Sequence, residues 1–302
     1  MDRVALPLTR MGAEIRGEGP GVLPPLVIKG ATLTGIDYEL PVASAQVKAA
    51  VLLAGIHADG ETVVRERVRT RAHTEEMLAE FGADVEVTDD GRTIRVRRST
   101  IRPFDIDVPG DPSQAAFWIV AALVVPDSEI VVEGVYIGPA RAGFLEVLSR
   151  MGADVDVQTR ADGWADICAR HSALRATDIS AEEVPSLVDE LPVLAVAAAH
   201  ADGVTTVRGA GELRVKETDR IATITTELSR LGVGIESRED GFVVRGSTTE
   251  WRGATVDSHG DHRIAMALAV AASAVDEETV VTGWDAVAIS YPGFGEELAA
   301  CG

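Results

Sequence analysis

A helix, glycine and strand pattern recurs along this chain at nearly equal intervals, and it limits the possible folds more than any other feature. In each copy an amphipathic helix ends in an apolar residue, a glycine follows, and a short strand comes next. The glycines stand at positions 12, 82, 152 and 232, and Gly302 lies a further 70 residues on. Glycine suits the left-handed backbone conformation just past a helix end. The even spacing therefore predicts a repeat protein.

A second kind of helix shares this period. Four alanine-rich segments are apolar almost all round, so we expect helices that are buried on every side. Each follows a residue that could cap a helix, and a proline stands in the first turn of two of them. The segments are Val47 to Ala54, Ala115 to Val124, Val193 to Ala199 and Ile264 to Ala272, and their capping residues are Ser44, Asp111, Asp189 and Asp261.

Together the two helices and the β-branched runs between them define one repeat. It consists of strand, buried helix, strand, amphipathic helix, strand and strand, over roughly 70 residues. The sequence therefore predicts an α/β fold of repeated βαβαββ segments. Pro109 and Gly110 mark a shift in composition. We expect a first domain at 1–108 with about one and a half repeats, and a second at 109–302 with about three.

Composition and charge exclude several classes of partner and site. The 302 residues are 46% hydrophobic and 25% charged, which is typical of a globular protein. A formal net charge of −20 disfavours nucleic acid and anionic membranes as partners. Cys168 and Cys301 stand far apart with no cluster of ligating residues, so neither a disulfide framework nor a metal site is expected. No signal-peptide pattern and no apolar run of about 18 residues occurs, which favours a soluble, cytoplasmic protein.

Lys216 and Arg220 form the first candidate binding pair. The chain has only three lysines, and Lys216 stands in the segment Leu213 to Arg220, where an amphipathic helix is expected to begin. Residues four apart share a helix face, where like charges repel. A bound anion would reverse that effect, and a helix N-terminus adds free N–H donors. Neutralisation of the pair by Glu217 and Asp219 is the alternative.

Other helix starts carry further candidates. Asp189 is either the cap of its helix or a carboxylate that accepts a proton from a substrate hydroxyl. Arg263 stands in the first turn of a buried helix, where a cation opposes the helix dipole unless an anion is bound. His262 beside it is expected to be structural.

Similar positions occur earlier in the chain. Ser44 is a candidate cap, and Gln46 is an unusual polar residue at the start of an apolar helix. Arg71 lies between an expected strand and an expected helix. Cations at several helix starts of a very acidic protein favour a small, multiply anionic ligand.

These motifs resemble those of the 5-enolpyruvylshikimate-3-phosphate (EPSP) synthase family, also called 3-phosphoshikimate 1-carboxyvinyltransferase. The resemblance covers essentially the whole chain in order. Its most specific parts are Lys216-Glu217-Thr218-Asp219-Arg220 and Asp261-His262-Arg263. Further matching segments are Leu40 to Lys48, Arg71 to Glu75, Val108 to Ser113, Asp189 to Pro192 and Ser290 to Phe294.

The resemblance implies the enolpyruvyl-transferase fold, with two domains of three repeats each. It also implies transfer of the enolpyruvyl group from phosphoenolpyruvate to the 5-hydroxyl of shikimate 3-phosphate, with release of phosphate. This reaction belongs to the shikimate pathway of aromatic amino acid and chorismate biosynthesis. No metal and no organic cofactor is implied.

Roles for individual residues follow from the matching motifs. Asp189, Lys216 and Glu217 would be catalytic: the first would accept the hydroxyl proton, and the other two would manage proton transfer at the methylene carbon of phosphoenolpyruvate. Shikimate 3-phosphate would bind Ser44, Gln46, Arg71, Asp189 and Lys216. Phosphoenolpyruvate would bind Gln46, Arg220 and Arg263, whose guanidinium groups suit a carboxylate and a phosphate.

The family's opening segment has no counterpart here. Six repeats of about 70 residues would make about 420. We therefore expect an N-terminally truncated family member, with a separate chain or an oligomer mate as a possible source of the missing repeats. Three other readings stay open: a non-catalytic anion-binding fragment or part of a split enzyme, a UDP-N-acetylglucosamine enolpyruvyl transferase, and a purely structural repeat scaffold.

Overall fold

The computed structural model describes residues 1–19, 21–88, 90–138 and 141–301, apart from the side chain of Ser247. Tertiary contacts divide the chain into unit 1, Met1–Asp107, and unit 2, which begins at Val108. Each unit has its own apolar core. The buried cluster of unit 1 extends from Met11 to Val96 in the sequence, and that of unit 2 from Ala115 to Phe294.

Unit 1 contains three helices and six strands among its described residues. The strands β1 and β2 form an antiparallel hairpin, and the other four form a sheet in the order β3-β4-β6-β5. In this sheet β3 pairs parallel to β4, whereas β6 pairs antiparallel to both β4 and β5. The elements are α1 (Asp2–Arg10), β1 (Glu14–Glu18), β2 (Leu23–Lys29), β3 (Asp37–Glu39), α2 (Ala45–Gly55), β4 (Glu61–Arg65), α3 (His73–Glu80), β5 (Val85–Val87) and β6 (Thr93–Arg97).

In its described residues, unit 2 contains the full arrangement of β3 to β6 once, from β10 to β13, and partial versions of it around two further apolar helices. The elements are α4 (Pro112–Val124), β7 (Glu129–Val135), α5 (Gly143–Arg150), β8 (Asp154–Thr159), β9 (Ala165–Arg170), β10 (Asp178–Ile179), α6 (Leu191–His200), β11 (Val204–Val207), α7 (Arg220–Arg230), β12 (Gly234–Arg238), β13 (Gly241–Arg245), β14 (Thr255–Asp257), α8 (His262–Ser273), β15 (Val280–Thr282) and α9 (Phe294–Cys301). The strand orders are β7-β9-β8, β10-β11-β13-β12 and β14-β15.

The order of elements confirms the predicted repeat. The sequence from β3 to β6 is strand, helix, strand, helix, strand, strand, and the sequence from β10 to β13 is the same. All four predicted junction glycines have positive φ angles, between 80° and 110°. Gly302 lies outside the described residues.

The predicted burial of the apolar helices is right for unit 2 and wrong for α2. In unit 2, α4, α6 and α8 pack against one another, and nearly every side chain of α4 is buried. In α2, Leu53 is half exposed. The main neighbours of α2 in unit 1 are the amphipathic helices α1 and α3 and the strands β4 and β6, and the face that carries Gln46 and Leu53 stays exposed.

Capping differs from the prediction at one of the four helices. The side chains of Ser44, Asp111 and Asp261 accept hydrogen bonds from the first-turn amides of α2, α4 and α8. The prediction that Asp189 caps α6 is wrong. Glu190 stands between Asp189 and the first residue of the helix, and the side chain of Glu190 makes no capping hydrogen bond. The carboxylate of Asp189 contacts basic side chains instead.

Candidate active site

Asp189 lies at the centre of a group of basic side chains in unit 2. Its Oδ1 is 3.3 Å from Nη1 of Arg220 and 3.8 Å from Nζ of Lys216, and its Oδ2 is 3.9 Å from Nη2 of Arg263. Its side chain keeps 14% of its surface exposed. Three cations around one largely buried carboxylate stabilise its negative charge and form a strongly polar site.

Lys216 reaches this site from a different position than the sequence suggested. A 3-10 helix extends over Gly211–Val215, and α7 begins only at Arg220. Lys216 has an extended backbone between the two helices, so the prediction that Lys216 and Arg220 share one helix face is wrong. Asp219 caps α7 by accepting the N–H of Ala222, which fixes the start of the helix at Arg220. Both cations still reach Asp189, because the chain turns just before α7.

Arg220 connects three carboxylates although its side chain is fully buried. Its Nε donates to Oδ2 of Asp261 at 2.7 Å, and its Nη2 donates to Oε2 of Glu217 at 2.6 Å. Its Nη1 contacts Asp189. A buried guanidinium needs such partners for its N–H donors. Arg220 therefore holds the starts of α6, α7 and α8 at one point.

Asp261 links the start of α7 to the start of α8 through hydrogen bonds. It accepts the backbone N–H of Arg263 at 2.9 Å and the hydroxyl of Thr218 at 3.2 Å, in addition to the Arg220 guanidinium. Burial alone would raise the pKa of Asp261, but the bonds from Arg220 and from the helix amide hold it below its ordinary value. Asp261 is thus an ionised cap with a structural role in the site.

Arg263 presents an unused donor. Its side chain is 13% exposed, yet its Nη1 is buried and has no hydrogen-bond partner among the described residues. A buried N–H without a partner is costly, so a ligand oxygen at this position would be stabilised. The neighbouring His262 is buried, and burial together with the Arg263 charge lowers its pKa. A neutral, packed imidazole agrees with the structural role expected for it.

Glu190 is a buried residue of this region that the sequence analysis did not single out. Its Oε1 accepts a hydrogen bond from the hydroxyl of Ser113 at 2.5 Å. The same hydroxyl accepts a hydrogen bond from Nη2 of Arg141 at 3.1 Å. Burial raises the pKa of Glu190. Its position directly after Asp189, at the entry of an apolar helix, is the sequence signal that could have found it.

The remaining candidates lie in unit 1. Ser44 caps α2, and its hydroxyl donates to Oε1 of Gln46 at 3.3 Å. Arg71 lies just before α3, in the irregular segment that follows β4. The structure thus brings Asp189, Lys216, Glu217, Arg220 and Arg263 together in unit 2, and places Ser44, Gln46 and Arg71 on two segments of unit 1.

A family model and the curated relatives that this chain matches carry the same name. The family model of EPSP synthase (3-phosphoshikimate 1-carboxyvinyltransferase) matches residues 1–298. The 3-phosphoshikimate 1-carboxyvinyltransferase of Leuconostoc citreum (strain KM20) is 48% identical over 305 residues, which are 99% of this chain and 70% of that protein. The protein of the same name from Gloeobacter violaceus is 50% identical over 304 residues, with the same coverage.

Solved structures match as well. An EPSP synthase from Acinetobacter baumannii superimposes with a TM-score of 0.87 at 40% identity, over all of this chain and 70% of that one. The enolpyruvyl transferase NikO from Streptomyces tendae has a TM-score of 0.81 at 22% identity, over 99% of this chain and 70% of that one. This second match shows the shared fold.

Proposed function

This chain belongs to the EPSP synthase family, and we propose from that premise that its residues transfer the enolpyruvyl group of phosphoenolpyruvate to the 5-hydroxyl of shikimate 3-phosphate, releasing phosphate. The basic group around Asp189 is the observation that carries this proposal. It combines a proton acceptor with three cations, as a reaction between two phosphorylated anions requires.

The reaction forms a C–O bond at C2 of phosphoenolpyruvate and breaks the C–O bond to phosphate, and the proton transfers that accompany these changes have candidate residues. The 5-oxygen attacks C2 of phosphoenolpyruvate, and Asp189 takes the hydroxyl proton. A proton adds to the methylene carbon, which becomes a methyl group, and Lys216 and Glu217 are the candidate groups for this transfer. The C2–O bond to phosphate then breaks and phosphate leaves. Lys216 or Glu217 takes back a methyl proton, which restores the methylene group.

Binding of the two substrates is assigned to the remaining residues. We assign the phosphoenolpyruvate carboxylate and phosphate to Arg220 and Arg263. For Arg263 the unpartnered Nη1 is a ready donor, whereas for Arg220, which is fully buried against three carboxylates, the assignment follows from the matching motif alone. Shikimate 3-phosphate is assigned to Asp189 and Lys216 and to the candidates of unit 1, which are Ser44, Gln46 and Arg71. Gln46 is also a candidate ligand of phosphoenolpyruvate.

The specific motif at Lys216 to Arg220 favours the shikimate substrate over UDP-N-acetylglucosamine, and the curated relatives carry the name of the shikimate enzyme. We propose that the protein acts in the cytoplasm, because its substrates are multiply charged and do not cross membranes unaided. No helix among the described residues has the length and apolarity that crossing a bilayer needs. The acidic net charge supports the absence of nucleic acid and membrane partners.

The test is phosphate release and substrate binding by the 302-residue chain, compared with Asp189→Asn. We expect release that needs both substrates and falls at least a hundredfold in the variant, because an amide cannot accept the hydroxyl proton. Asp178→Asn is the matched control, since this aspartate is exposed and pairs only weakly with Arg208. Binding of both substrates without release would favour a non-catalytic anion-binding protein, and binding of neither would overturn the proposal.

A further inference from the structure

Unit 1 contains a buried ionic cluster that the proposed mechanism does not use. The side chain of Lys48 is fully buried on α2, and its Nζ is 3.1 Å from Oε2 of Glu66 and 2.8 Å from Oε1 of Glu75. Glu66 is also fully buried, and Glu75 is 4% exposed. We call these three residues the Lys48 cluster.

The cluster joins three separate segments of the chain. Lys48 is in the first turns of α2, Glu66 follows the end of β4, and Glu75 lies in the first turn of α3. Oε1 of Glu66 accepts both the N–H of Thr70, at 3.2 Å, and its hydroxyl, at 2.5 Å. The irregular segment 66–72 is therefore held at its start by Glu66 and just after its end by Glu75. Both carboxylates form ion pairs with the ammonium group of Lys48.

Arg71 lies within this fixed stretch, next to Thr70 and four residues before Glu75. The helix that carries Lys48 also carries Gln46 two residues earlier and is capped by Ser44 four residues earlier, and the N–H of Lys48 donates to the carbonyl of Ser44. The cluster thus links the helix start that carries Ser44 and Gln46 to the segment that carries Arg71.

Stability alone is a poor explanation for such a cluster. Two carboxylates around one ammonium must all lose their water, and apolar side chains of similar volume often stabilise a core as well or better. Oε2 of Glu75 is buried without a hydrogen-bond partner in the described residues, which adds to the cost. What directed ionic bonds supply and apolar packing does not is a defined position for the segments they join.

We propose that Lys48 is a positioning residue that holds Arg71 in register with Ser44 and Gln46 for binding shikimate 3-phosphate. The inference rests on the proposed function, because the ligand is the substrate named there. A long guanidinium side chain on an irregular segment binds a phosphate well only if its backbone is held in place before binding. Lys48 provides that restraint without contacting the ligand.

The test compares Lys48→Met with the triple variant Lys48→Met, Glu66→Gln, Glu75→Gln. Lys48→Met alone leaves two buried carboxylates without a counter-charge and is expected to fold poorly. The triple variant removes all the charges, while the side-chain amide introduced at position 66 keeps an oxygen acceptor for Thr70. Ile94→Ala is the matched control, because it removes buried apolar volume from the core of the same unit and leaves all three charges of the cluster in place.

Titration calorimetry and hydrogen exchange give the readouts. In the triple variant we expect affinity for shikimate 3-phosphate to fall at least tenfold, affinity for phosphoenolpyruvate to change less than threefold, and amides of residues 66–72 to exchange faster. Ile94→Ala is expected to leave both affinities within threefold of the wild type. Equal affinities for shikimate 3-phosphate in the wild type and the triple variant would overturn the inference.

The same binding measurements distinguish a failure of the proposed function from a failure of this inference. If the wild type binds no shikimate 3-phosphate, the assignment of the substrate falls, and the inferred binding role of Lys48 falls with it. If the wild type binds it and the triple variant binds equally well, the function stands and the role of Lys48 is rejected.

Discussion

At the scale of single residues, the site depends on how buried charges are matched. Arg220 is fully buried, and it contacts Asp189, Glu217 and Asp261. A lysine at this position could not reproduce these contacts, because a single ammonium cannot spread its donors in a planar fork. The position of Arg220 in the motif was readable from the sequence. Of its three partners, Glu217 was named from the sequence as a neutralising neighbour. Asp189 and Asp261 were not, because they are distant in the chain and meet Arg220 only in the folded unit.

His200 provides a residue-scale prediction about pH. Its ring stacks on Trp251 with centroids 4.5 Å apart, and its Nε2 is buried without a partner in the described part of the chain. Burial lowers the pKa of His200 to about 4, with a smaller contribution from His171. The unfolded state therefore binds a proton more readily, so stability is complete above about pH 6.5 and falls as the pH decreases toward about 4.

The measurement is the free energy of unfolding by denaturant between pH 7.5 and 4, for the wild type and His200→Phe. Phenylalanine keeps an aromatic ring against Trp251 but does not titrate. We expect the loss of unfolding free energy across this range to be smaller in the variant, by at most about 3 kcal/mol. If the free energy of unfolding decreased equally with falling pH in the two proteins, His200 would not be protonated on unfolding.

At the scale of elements, the junction between helix and strand is the part of the fold that the sequence predicts best. A glycine after each amphipathic helix is a local signal, and its left-handed conformation depends only on neighbouring residues. The start of α6 was predicted less well, because Asp189 looks like a cap until the cations of distant segments are in place. The exposed face of α2 was also missed, since an apolar sequence does not tell how many neighbours a helix has.

Two of these glycines provide an element-scale prediction. Gly152 and Gly232 both have positive φ angles, of 80° and 92°. A Cβ atom at Gly152 would meet nothing within 4 Å, whereas at Gly232 it would collide with the carbonyl of Glu250. Gly152→Ala should therefore cost only the backbone strain, about 1 kcal/mol. Gly232→Ala should cost at least twice as much, because the backbone after β13 must also move.

Thermal and urea unfolding of the two variants under identical conditions test this prediction. Each variant acts as the control for the other, since the substitution and the helix-end position are the same and only the surroundings differ. Equal losses of stability would show that strain at φ dominates and that the contact with Glu250 is relieved without cost.

At the scale of the whole molecule, charge is divided unevenly between the two units. Residues 1–107 contain 17 acidic and 14 basic residues, whereas residues 108–302 contain 31 acidic and 14 basic residues. The candidate catalytic cations therefore lie in the unit with the larger negative charge. Their pairing with Asp189, Glu217 and Asp261 explains how three cations stay close together there, because short-range contacts outweigh a screened long-range field.

The last prediction is that residues 108–302 fold without residues 1–107. Their buried core, including the mutually packed α4, α6 and α8, is made entirely of residues from this part of the chain. We expect a single cooperative thermal transition. The excess of acidic residues repels itself in the folded state, so the midpoint should rise by several degrees between about 20 and about 200 mM sodium chloride, as salt screens this repulsion.

Calorimetry of the 108–302 fragment at both salt concentrations is the measurement, with Asp276→Lys in the same fragment as the control. Asp276 is exposed in the acidic run 276–278 between α8 and β15, and the substitution reduces the negative charge by two without changing the core. The variant should melt higher at low salt and respond less to added salt. Broad, non-cooperative melting of the fragment would mean that the core of unit 2 needs residues 1–107 to form, and an unchanged salt response in Asp276→Lys would mean that general charge repulsion does not limit its stability.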